Sequence, residues 1–349
     1  MTIAPTFDLQ SEADLPELSF AAMRMVMLHE AQEHDLPLLL NSDREVSCGT
    51  PFGTFGIRAR GQGLRLSVAA ARQDWLFMLK ESMVEHLAEF MPDAVAGLRW
   101  SDDDSTGSLP PNFQFAKVVS VTRIGTTFKR LRIKASGLES YDDTSIHFRV
   151  VLPPEEQANV IWPHVGANGA TVWPKGNQAL HRPVYTARAI DHAAGLIDVD
   201  IFIHDGGRMT DWVAQVMPGS TTAIVGPGGG GIPQTDRINL YGDETAFPAI
   251  GRILDSLPAD AVGRVVLVSE AGADCAYPIN LPAGMTLDWL HTADQPDLAA
   301  MALADLDRAP DHFLWFAAEK SQVQPLRAVM KDKGLTSANS YIASYWSKT

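Results

Sequence analysis

The sequence has few cysteines and no long apolar run, and both absences limit what the protein can be. Its two cysteines, Cys48 and Cys275, lie far apart and form no CxxC pair. Without paired or metal-spaced thiols, we expect reduced cysteines in a cytoplasmic protein. No apolar stretch approaches the roughly 20 residues of a membrane-spanning helix, and the acidic N-terminus lacks the pattern of a signal peptide.

Positive charge is also scarce. The 349 residues include 28 Lys and Arg against 42 Asp and Glu, which gives a formal net charge of −14. Nucleic acids and anionic membranes attract basic surfaces, so neither is an expected partner. The length predicts about two or three domains, because one hydrophobic core rarely serves so many residues. The sequence leaves open whether the chain is a monomer or a dimer.

A short polar segment with two prolines, residues 101–112, marks the end of a first domain. Before it, apolar residues at spacings of three and four predict a helix over 73–91, and residues 18–34 read as another helix. Three strand-like runs lie between these helices, namely 45–48, 54–59 and 64–69. Residues 15–101 are therefore predicted to form a small α+β domain.

The remainder of the chain shows two successive patterns. Residues 113–231 contain short alternating strands broken by Gly and Pro, which favour an antiparallel barrel or sandwich. Residues 235–349 alternate strands with helices, which predicts a parallel α/β sheet. The expected strands are 237–241, 264–269, 285–291 and 312–317, and the expected helices are 246–256, 296–307 and 321–333. The glycine run 226–231 opens no helix, and we interpret it as a flexible connection.

A strand near residue 185 carries side chains that suit a flavin: Arg182, Tyr185, Thr186 and Arg188. Ordinary packing explains such a string about as well as function does, so the prediction depends on a second feature nearby. About twenty residues later a glycine turn, Gly207, opens a helix that Thr210 is expected to N-cap. A helix N-terminus presents free N–H groups that suit a pyrophosphate. An arginine can neutralise phosphate, a tyrosine can stack on the isoalloxazine, and a threonine hydroxyl can bond near its N5.

Several motifs in this order resemble the siderophore-interacting protein family, FAD-dependent members of the ferredoxin-reductase superfamily. The family's RxYTxR motif is matched by Arg182, Tyr185, Thr186 and Arg188, and its DVDxxxH strand by Asp198, Val199, Asp200 and His204. Its GDETALPAI motif is matched by Gly242-Asp-Glu-Thr-Ala-Phe-Pro-Ala-Ile250, and its S-[GY]-Y-W ending is approximated by Ser344, Tyr345 and Trp346. The resemblance covers residues 113–349.

The resemblance implies an FAD-binding β-barrel over 113–231 and a nicotinamide-nucleotide domain over 235–349. The implied catalytic residues are Tyr185 and Thr186. The implied cofactor-binding residues are these two together with Arg182, Arg188, Asp200, His204, Gly207, Thr210, Gly242, Asp243, Glu244, Thr245, Glu319 and Trp346. The cofactor is FAD and the electron donor is NADPH or NADH, between which the sequence does not decide. The first domain resembles a small α+β domain of unknown function that occurs alone or fused to such reductases.

Two departures from the family pattern concern cofactor loops. The family's GPAS loop is Gly207-Arg-Met-Thr210 here, and its AGE tripeptide is Ala317-Ala318-Glu319. If that glycine lets the nicotinamide approach closely, the extra Cβ is expected to weaken dinucleotide binding. Bulky side chains in the first loop are likewise expected to weaken its fit to a phosphate.

The implied substrate is a ferric siderophore, reduced so that Fe(II) is released. Residues 105–138 contain no Asp or Glu, although they include Lys129 and Arg130. We expect these two, with Lys320 and Lys348, to attract the anionic chelate; a solvated strand face is the simpler explanation for other cations of this stretch. The iron is substrate, and no resident metal site is expected. Two alternatives stay open: a general flavin or electron-transfer reductase with a protein acceptor, and a non-catalytic siderophore-binding module.

Overall fold

The computed structural model describes residues 7–16, 18–33, 36–102, 105–155, 159–330 and 332–348. The described residues fall into two compact units, one within Met1–Phe113 and Pro153–His181 and the other within Gln114–Leu152 and Arg182–Thr349. The segment 153–181 lies inside the range expected for the barrel, yet it belongs to the first unit. The three predicted domain ranges stay a prediction.

The first unit contains a five-stranded antiparallel sheet with helices packed on it. Its elements are β1 (Leu9–Leu15), α1 (Phe20–Glu33), β2 (Leu38–Asn41), β3 (Glu45–Thr50), β4 (Gly53–Arg60), β5 (Gly63–Ala70), α2 (Gln73–Phe90) and α3 (Pro92–Ala96). The strand order is β1-β5-β4-β3-β2. Alternate residues of β5, such as Leu66 and Val68, are buried against the helices, as period-two patterning requires. The predicted helices and strands are confirmed, except that residue 34 lies outside the described residues; β1 and β2 were not predicted.

The barrel belongs to the second unit. The elements from Phe113 onward are β6 (Phe113–Ile124), β7 (Phe128–Ala135), β8 (His147–Val151), β9 (His164–Val165), β10 (Thr171–Val172), β11 (Val184–Thr186), β12 (Ala189–Asp191), β13 (Leu196–Phe202), α4 (Arg208–Gln215) and β14 (Thr221–Gly228). Seven of these strands form an antiparallel sheet in the order β11-β8-β14-β6-β7-β13-β12, whereas β9 and β10 pair with each other in the first unit. Only Ala187 and Arg188 separate the edge strands β11 and β12, and this short link closes the sheet into a barrel.

The remaining elements form a parallel sheet with helices on both faces. They are β15 (Arg237–Asp243), α5 (Phe247–Ser256), β16 (Val262–Ser269), β17 (Gly284–His291), α6 (Leu298–Arg308), β18 (Phe313–Glu319), α7 (Lys320–Val329) and β19 (Ser340–Trp346). The strand order is β17-β16-β15-β18-β19, and every pair is parallel. One core lies between the sheet and α5, and another between the sheet and the pair α6 and α7. The predicted fold class is confirmed; β19 was not predicted.

The glycine run is packed, which corrects the expectation of a flexible connection. Strand β14 continues through Gly228, and the next two glycines lie against aromatic rings. A Cβ at Gly229 would stand 2.8 Å from Cδ2 of His147, and one at Gly230 would overlap the ring of Tyr341. Glycine is needed here because the backbone passes directly under these side chains. In the described part of the chain, no helix combines the length and apolar character needed to cross a lipid bilayer.

Candidate active site

The strand predicted to meet the flavin is β11, at an edge of the barrel sheet. It pairs with β8 so that Tyr185 lies opposite Phe148 and Thr186 opposite His147. The Tyr185 side chain packs against the barrel core, and burial raises the pKa of its hydroxyl, so the phenol stays protonated at neutral pH. Thr186 is 5% exposed. The two predicted catalytic residues are therefore neighbours on one well-packed strand.

Arg182 departs from the motif that was used to single it out. It precedes Tyr185 by three residues, whereas RxYT places the arginine two residues before the tyrosine, where this chain has Pro183. Arg182 lies two residues before the start of β11. Its carbonyl oxygen accepts a 2.9 Å hydrogen bond from Nη1 of Arg149, an exposed residue of β8. Two arginines therefore lie beside the flavin strand.

Arg188 lies in the contact between the barrel and α5. It is 8% exposed, and its Nη2 stands 2.7 Å from Oδ2 of Asp255. The neighbouring Arg252 of α5 donates a 2.6 Å hydrogen bond to the carbonyl oxygen of Ala187. A Cβ at Gly251 would stand 3.0 Å from Nε of Arg188, so the helix approaches closely at that glycine. These bonds attach the parallel sheet to the barrel; a role of Arg188 in cofactor binding stays a prediction.

The acidic strand β13 neutralises the basic strand β7. Arg130 donates from Nε and Nη2 to the two carboxylate oxygens of Asp200 at 2.6 and 2.7 Å, and Arg132 binds Asp198 in the same way at 2.6 and 2.7 Å. The hydroxyl of Tyr277 donates a further 2.7 Å hydrogen bond to Asp200. This pairing raises the pKa of Arg130. Arg130 and Asp200 therefore neutralise each other, and their predicted roles in substrate and cofactor binding stay predictions.

Two of the four predicted substrate cations, Lys129 and Lys320, lie apart from carboxylates, and the third, Lys348, lies near Glu319. Lys129 is half-buried on β7, and no acidic partner within ion-pair distance accompanies it among the described residues. Lys320 is exposed at the first residue of α7. Lys348 is exposed too, and its backbone N–H donates a 3.2 Å hydrogen bond to Oε1 of Glu319. The predicted basic surface is thus smaller than the sequence indicates, because pairing between strands is not visible in a charge count.

The glycine turn and helix α4 come after β13 as predicted, but the cap differs. The N-cap residue is Gly207, and Thr210 stands at the third helical position. The Thr210 hydroxyl accepts a 3.4 Å hydrogen bond from the backbone N–H of His204, so it closes the turn and does not cap the helix. A Cβ at Gly207 would stand 2.8 Å from Cε1 of the His204 ring, so the imidazole is one reason for glycine at this position. His204 itself is exposed beside Phe202, with ring centroids 5.9 Å apart.

The GDET segment lies where β15 ends, and its aspartate is bonded to the protein on both oxygens. Oδ1 of Asp243 accepts hydrogen bonds from the backbone N–H and the hydroxyl of Thr245, at 3.0 and 2.5 Å. Oδ2 accepts from the backbone N–H of Glu319 at 2.9 Å and from Nε1 of Trp346 at 2.7 Å. Burial raises the pKa of Asp243. A Cβ at Gly242 would stand 2.6 Å from Cβ of Ala246, which explains the glycine by packing.

The two predicted glutamates at this edge are bonded in the same manner. Oε1 of Glu244 accepts a 2.6 Å hydrogen bond from the backbone N–H of Glu270, and burial raises the pKa of Glu244. Glu319 caps α7 by accepting a 2.7 Å hydrogen bond from the backbone N–H of Ser321. Bonding to Ser321, helped by Lys348, lowers the pKa of Glu319. The carboxylates thus connect the ends of neighbouring strands and helices.

Comparison with known proteins covers both parts of the second unit. The model of the siderophore-interacting FAD-binding domain matches residues 117–231, and that of the siderophore-interacting protein matches residues 235–349. The chain belongs to the siderophore-interacting protein family. Residues before 117 lie outside both matches. The order of two successive domain matches agrees with the observed order of barrel and parallel sheet.

Individual relatives agree with this assignment. An Escherichia coli protein described as NADPH-dependent ferric-chelate reductase is 28% identical over 243 residues, which is 67% of this chain and 92% of the relative. The ferric vibriobactin reductase ViuB of Vibrio cholerae is 27% identical over 220 residues, covering 59% of this chain and 78% of the relative. The crystal structure of a siderophore utilization protein from T. fusca has a TM-score of 0.57 at 27% identity, covering 70% of this chain and 97% of that one.

The alanine that replaces the glycine of the family's AGE tripeptide has its side chain in the core and not at the nucleotide edge. Ala318 stands where the family has glycine, and its side chain is 1% exposed. It belongs to the hydrophobic core between the sheet and helices α6 and α7. The extra methyl group is therefore buried inside the domain. This placement removes the basis for expecting it to weaken dinucleotide binding.

His147 is a member of the site that the sequence did not indicate. It is 6% exposed on β8, with Nδ1 3.3 Å from Oγ1 of Thr186 and Nε2 3.1 Å from the hydroxyl of Tyr345. Burial, with a smaller effect from Arg252, lowers the pKa of His147 to about 4, so the imidazole is neutral at neutral pH. A histidine that begins a short apolar strand carries no sequence signal of this kind. The pairing of β8 with β11 is what reveals it.

The residues present fit an FAD-binding site of this family. Strand β11 supplies a hydroxyl, Thr186, beside the arginines Arg149 and Arg182, whose charge suits a phosphate. The first turn of α4 supplies N–H groups without partners inside the helix, after Gly207, where a Cβ would contact His204. Among the described residues, no group of three or more His, Cys, Asp or Glu is arranged to hold a metal ion.

Proposed function

We propose that this protein is an NAD(P)H-dependent flavoenzyme that reduces ferric siderophores and releases their iron as Fe(II). The observation that carries the proposal is one compact unit in which β11, with its Tyr-Thr pair, and the N-terminus of α4 accompany a parallel nucleotide sheet. Relatives described as NADPH-dependent ferric-chelate reductase and ferric vibriobactin reductase support the reaction and its substrate class.

Different residues would bind the different parts of the FAD and of the nicotinamide nucleotide. Tyr185 and Thr186 would hold the isoalloxazine, while Arg149, Arg182 and the first turn of α4 would hold the phosphates. The carboxyl ends of β15 and β18 would hold the nicotinamide nucleotide, since ligands of open parallel sheets bind at that edge. When bound, FAD supplies the exchange between two-electron donors and one-electron acceptors.

The ferric chelate is expected near the cations that remain unpaired. Lys129 and Lys320 are the predicted substrate residues whose ammonium groups have no close carboxylate within the described ranges, whereas the charge of Lys348 already acts on Glu319. Each of these charges would attract an anionic siderophore over a short range, and salt would weaken the attraction. Iron enters and leaves as substrate.

The purified protein provides the test. We expect flavin absorbance near about 450 nm, bleaching under anaerobic conditions by NADH or NADPH, and trapping of Fe(II) when ferric siderophores are added. The Tyr185→Ala variant should lose flavin or reduce it slowly. Free flavin and a small iron–sulfur protein serve as competing acceptors. A flavin-free protein, or faster transfer to either competing acceptor than to ferric siderophores, would refute the proposal.

A further inference from the structure

His147 connects two parts of the second unit through both of its ring nitrogens. Its Nδ1 lies 3.3 Å from Oγ1 of Thr186 on β11, and its Nε2 lies 3.1 Å from the hydroxyl of Tyr345 on β19. Three side chains therefore form one continuous chain of hydrogen bonds, from the strand expected to contact the flavin to the last strand of the sheet. Tyr345, its last member, is partly exposed.

The surrounding structure holds these rings in place. Gly229, with φ of 74°, passes under the imidazole, and a Cβ there would stand 2.8 Å from Cδ2 of His147. The ring of Trp315 stacks on Tyr341 with centroids 5.4 Å apart and meets Tyr345 edge-on at 6.2 Å. Such packing fixes side-chain rotamers, so the fold determines which of these side chains are hydrogen-bonded to each other.

Every member of the chain is uncharged at neutral pH and can both donate and accept a hydrogen bond. Burial lowers the pKa of His147 to about 4, with help from Arg252 on α5. Burial also raises the pKa of Tyr345, and the charge of Asp243 on β15 adds to that rise. Neutral groups of this kind can each take up one proton while giving up another.

The proposed reaction releases a proton that such a chain can carry. One NAD(P)H and two Fe(III) give NAD(P)⁺, two Fe(II) and one H⁺, because the hydride brings two electrons with a proton and only the electrons reach the iron. The reaction therefore leaves one proton to be removed for each NAD(P)H consumed. Among the hydrogen-bonded side chains, Thr186 is the one that would meet the flavin.

Resting on the proposed function, we propose that Thr186, His147 and Tyr345 form a relay that carries this proton away from the flavin. Oγ1 of Thr186 takes up the proton and passes its own to Nδ1 of His147, while Nε2 gives its proton to the Tyr345 oxygen. Tyr345, which is partly exposed, releases its own proton to water. Each group gains one proton as it loses one, so the chain ends neutral with its hydrogen bonds reversed.

The Tyr345→Phe variant tests the relay because it removes one hydroxyl and keeps the ring. Stopped-flow absorbance separates reduction by NAD(P)H from reoxidation by a ferric siderophore. We expect reduction to be unchanged, since the hydride brings its own proton, and reoxidation to slow by about tenfold or more. Reoxidation of the unaltered protein should also be slower in D₂O. Tyr241→Phe is the matched control, because its buried hydroxyl bonds Asp305 at 2.6 Å outside the relay.

A second measurement keeps the two proposals apart. In the purified protein, ¹⁵N NMR of the histidine rings should show His147 neutral, with its tautomer ratio altered by Tyr345→Phe but not by Tyr241→Phe. If Tyr345→Phe does not fold, His147→Gln takes its place in the kinetic test. Equal reoxidation rates and equal D₂O effects in Tyr345→Phe and its control would overturn the relay. A protein without flavin, or without Fe(II) production, would overturn the proposed function itself.

Discussion

The flavin strand β11 and the carboxyl edge of β15 both carry family motifs, but they use their polar groups differently. Beside β11, Arg149 is exposed and Thr186 has a neutral imidazole as its neighbour, so this strand keeps groups that a ligand can engage. At the end of β15, both oxygens of Asp243 are bonded to the protein. We therefore expect motif residues to serve the ligand at β11 and the architecture at the end of β15.

The physical reason lies in burial. A buried carboxylate is stable only when donors surround it, and the ends of β18 and β19 present N–H groups that need acceptors. Asp243 meets both requirements by joining Glu319 and Trp346 to the end of its own strand. The edge that would receive a nucleotide is thus built from side chains that a ligand does not need to contact.

Replacing Asp243 with alanine should give the largest effect. Several buried donors would lose their acceptor, at about 1–3 kcal/mol each, so we expect the free energy of unfolding to fall by about 3 kcal/mol or more. Urea denaturation followed by tryptophan fluorescence measures this change. The exposed Asp294→Ala variant at the same edge is the control. Full stability combined with lost NAD(P)H binding would instead make Asp243 a ligand of the nucleotide.

The stability of the protein at low pH should depend on His147, which bonds Thr186 on β11 and Tyr345 on β19. Its pKa is lowered from 6.5 to about 4 in the folded chain by burial and by Arg252, whereas its other close partners, Thr186 and Tyr345, are neutral. The unfolded chain takes up a proton near pH 6.5, so this contribution to stability is complete above that pH and is lost as the pH falls toward 4. The loss amounts to about 3 kcal/mol.

Denaturation of the unaltered protein and of His147→Gln at pH 7 and pH 4.5 would isolate that loss, since other groups titrate equally in both. The variant should show the weaker dependence on pH. Parallel pH dependence in the two proteins would mean that the histidine is not held neutral by the fold.

On β11, Thr186→Val should change chemistry and also lower stability by about 1–3 kcal/mol, because the buried His147 ring loses a hydrogen-bond partner. Losing the hydroxyl is expected to slow flavin reduction or reoxidation by about tenfold, or roughly 1.4 kcal/mol in the barrier. Stopped-flow absorbance and flavin content are the measurements. Thr222→Val is the control, because its buried hydroxyl donates a 2.9 Å hydrogen bond to the carbonyl oxygen of Val151 inside the barrel. Unchanged flavin content and turnover would remove Thr186 from the active site.

The smallest effect is expected from Lys129→Ala. One partly screened charge near an anionic chelate contributes about 0.6 kcal/mol, so KM for a ferric siderophore should rise about threefold, and less at high salt. Steady-state rates at two ionic strengths provide the measurement. Lys134→Ala, an exposed position on the same strand, should leave KM unchanged. Equal changes in both variants would argue for a general effect of charge and against a specific site.

The sequence predicted most elements because their signals are local. Helix α2 and strands β4 and β5 follow from apolar spacing, and the alternation after residue 235 follows from successive periods. Among the strands that escaped prediction, β1 and β19 pair with partners that are distant in the sequence, whereas β2 is a four-residue strand that pairs with its neighbour β3. Thr210 shows the same limit at a cap, since its hydroxyl bonds His204 and the helix begins after Gly207.

By itself, the sequence determined the family, the order of the three folds and the residues Tyr185 and Thr186 as neighbours on one strand. Only the tertiary structure decided which charges are free, because Arg130 and Asp200 are separated by 70 positions and meet through strand pairing. It also brought His147 between Thr186 and Tyr345. Local spacing fixes periodicity, whereas burial and pairing across the sheet decide whether a polar side chain holds the fold together or meets a ligand.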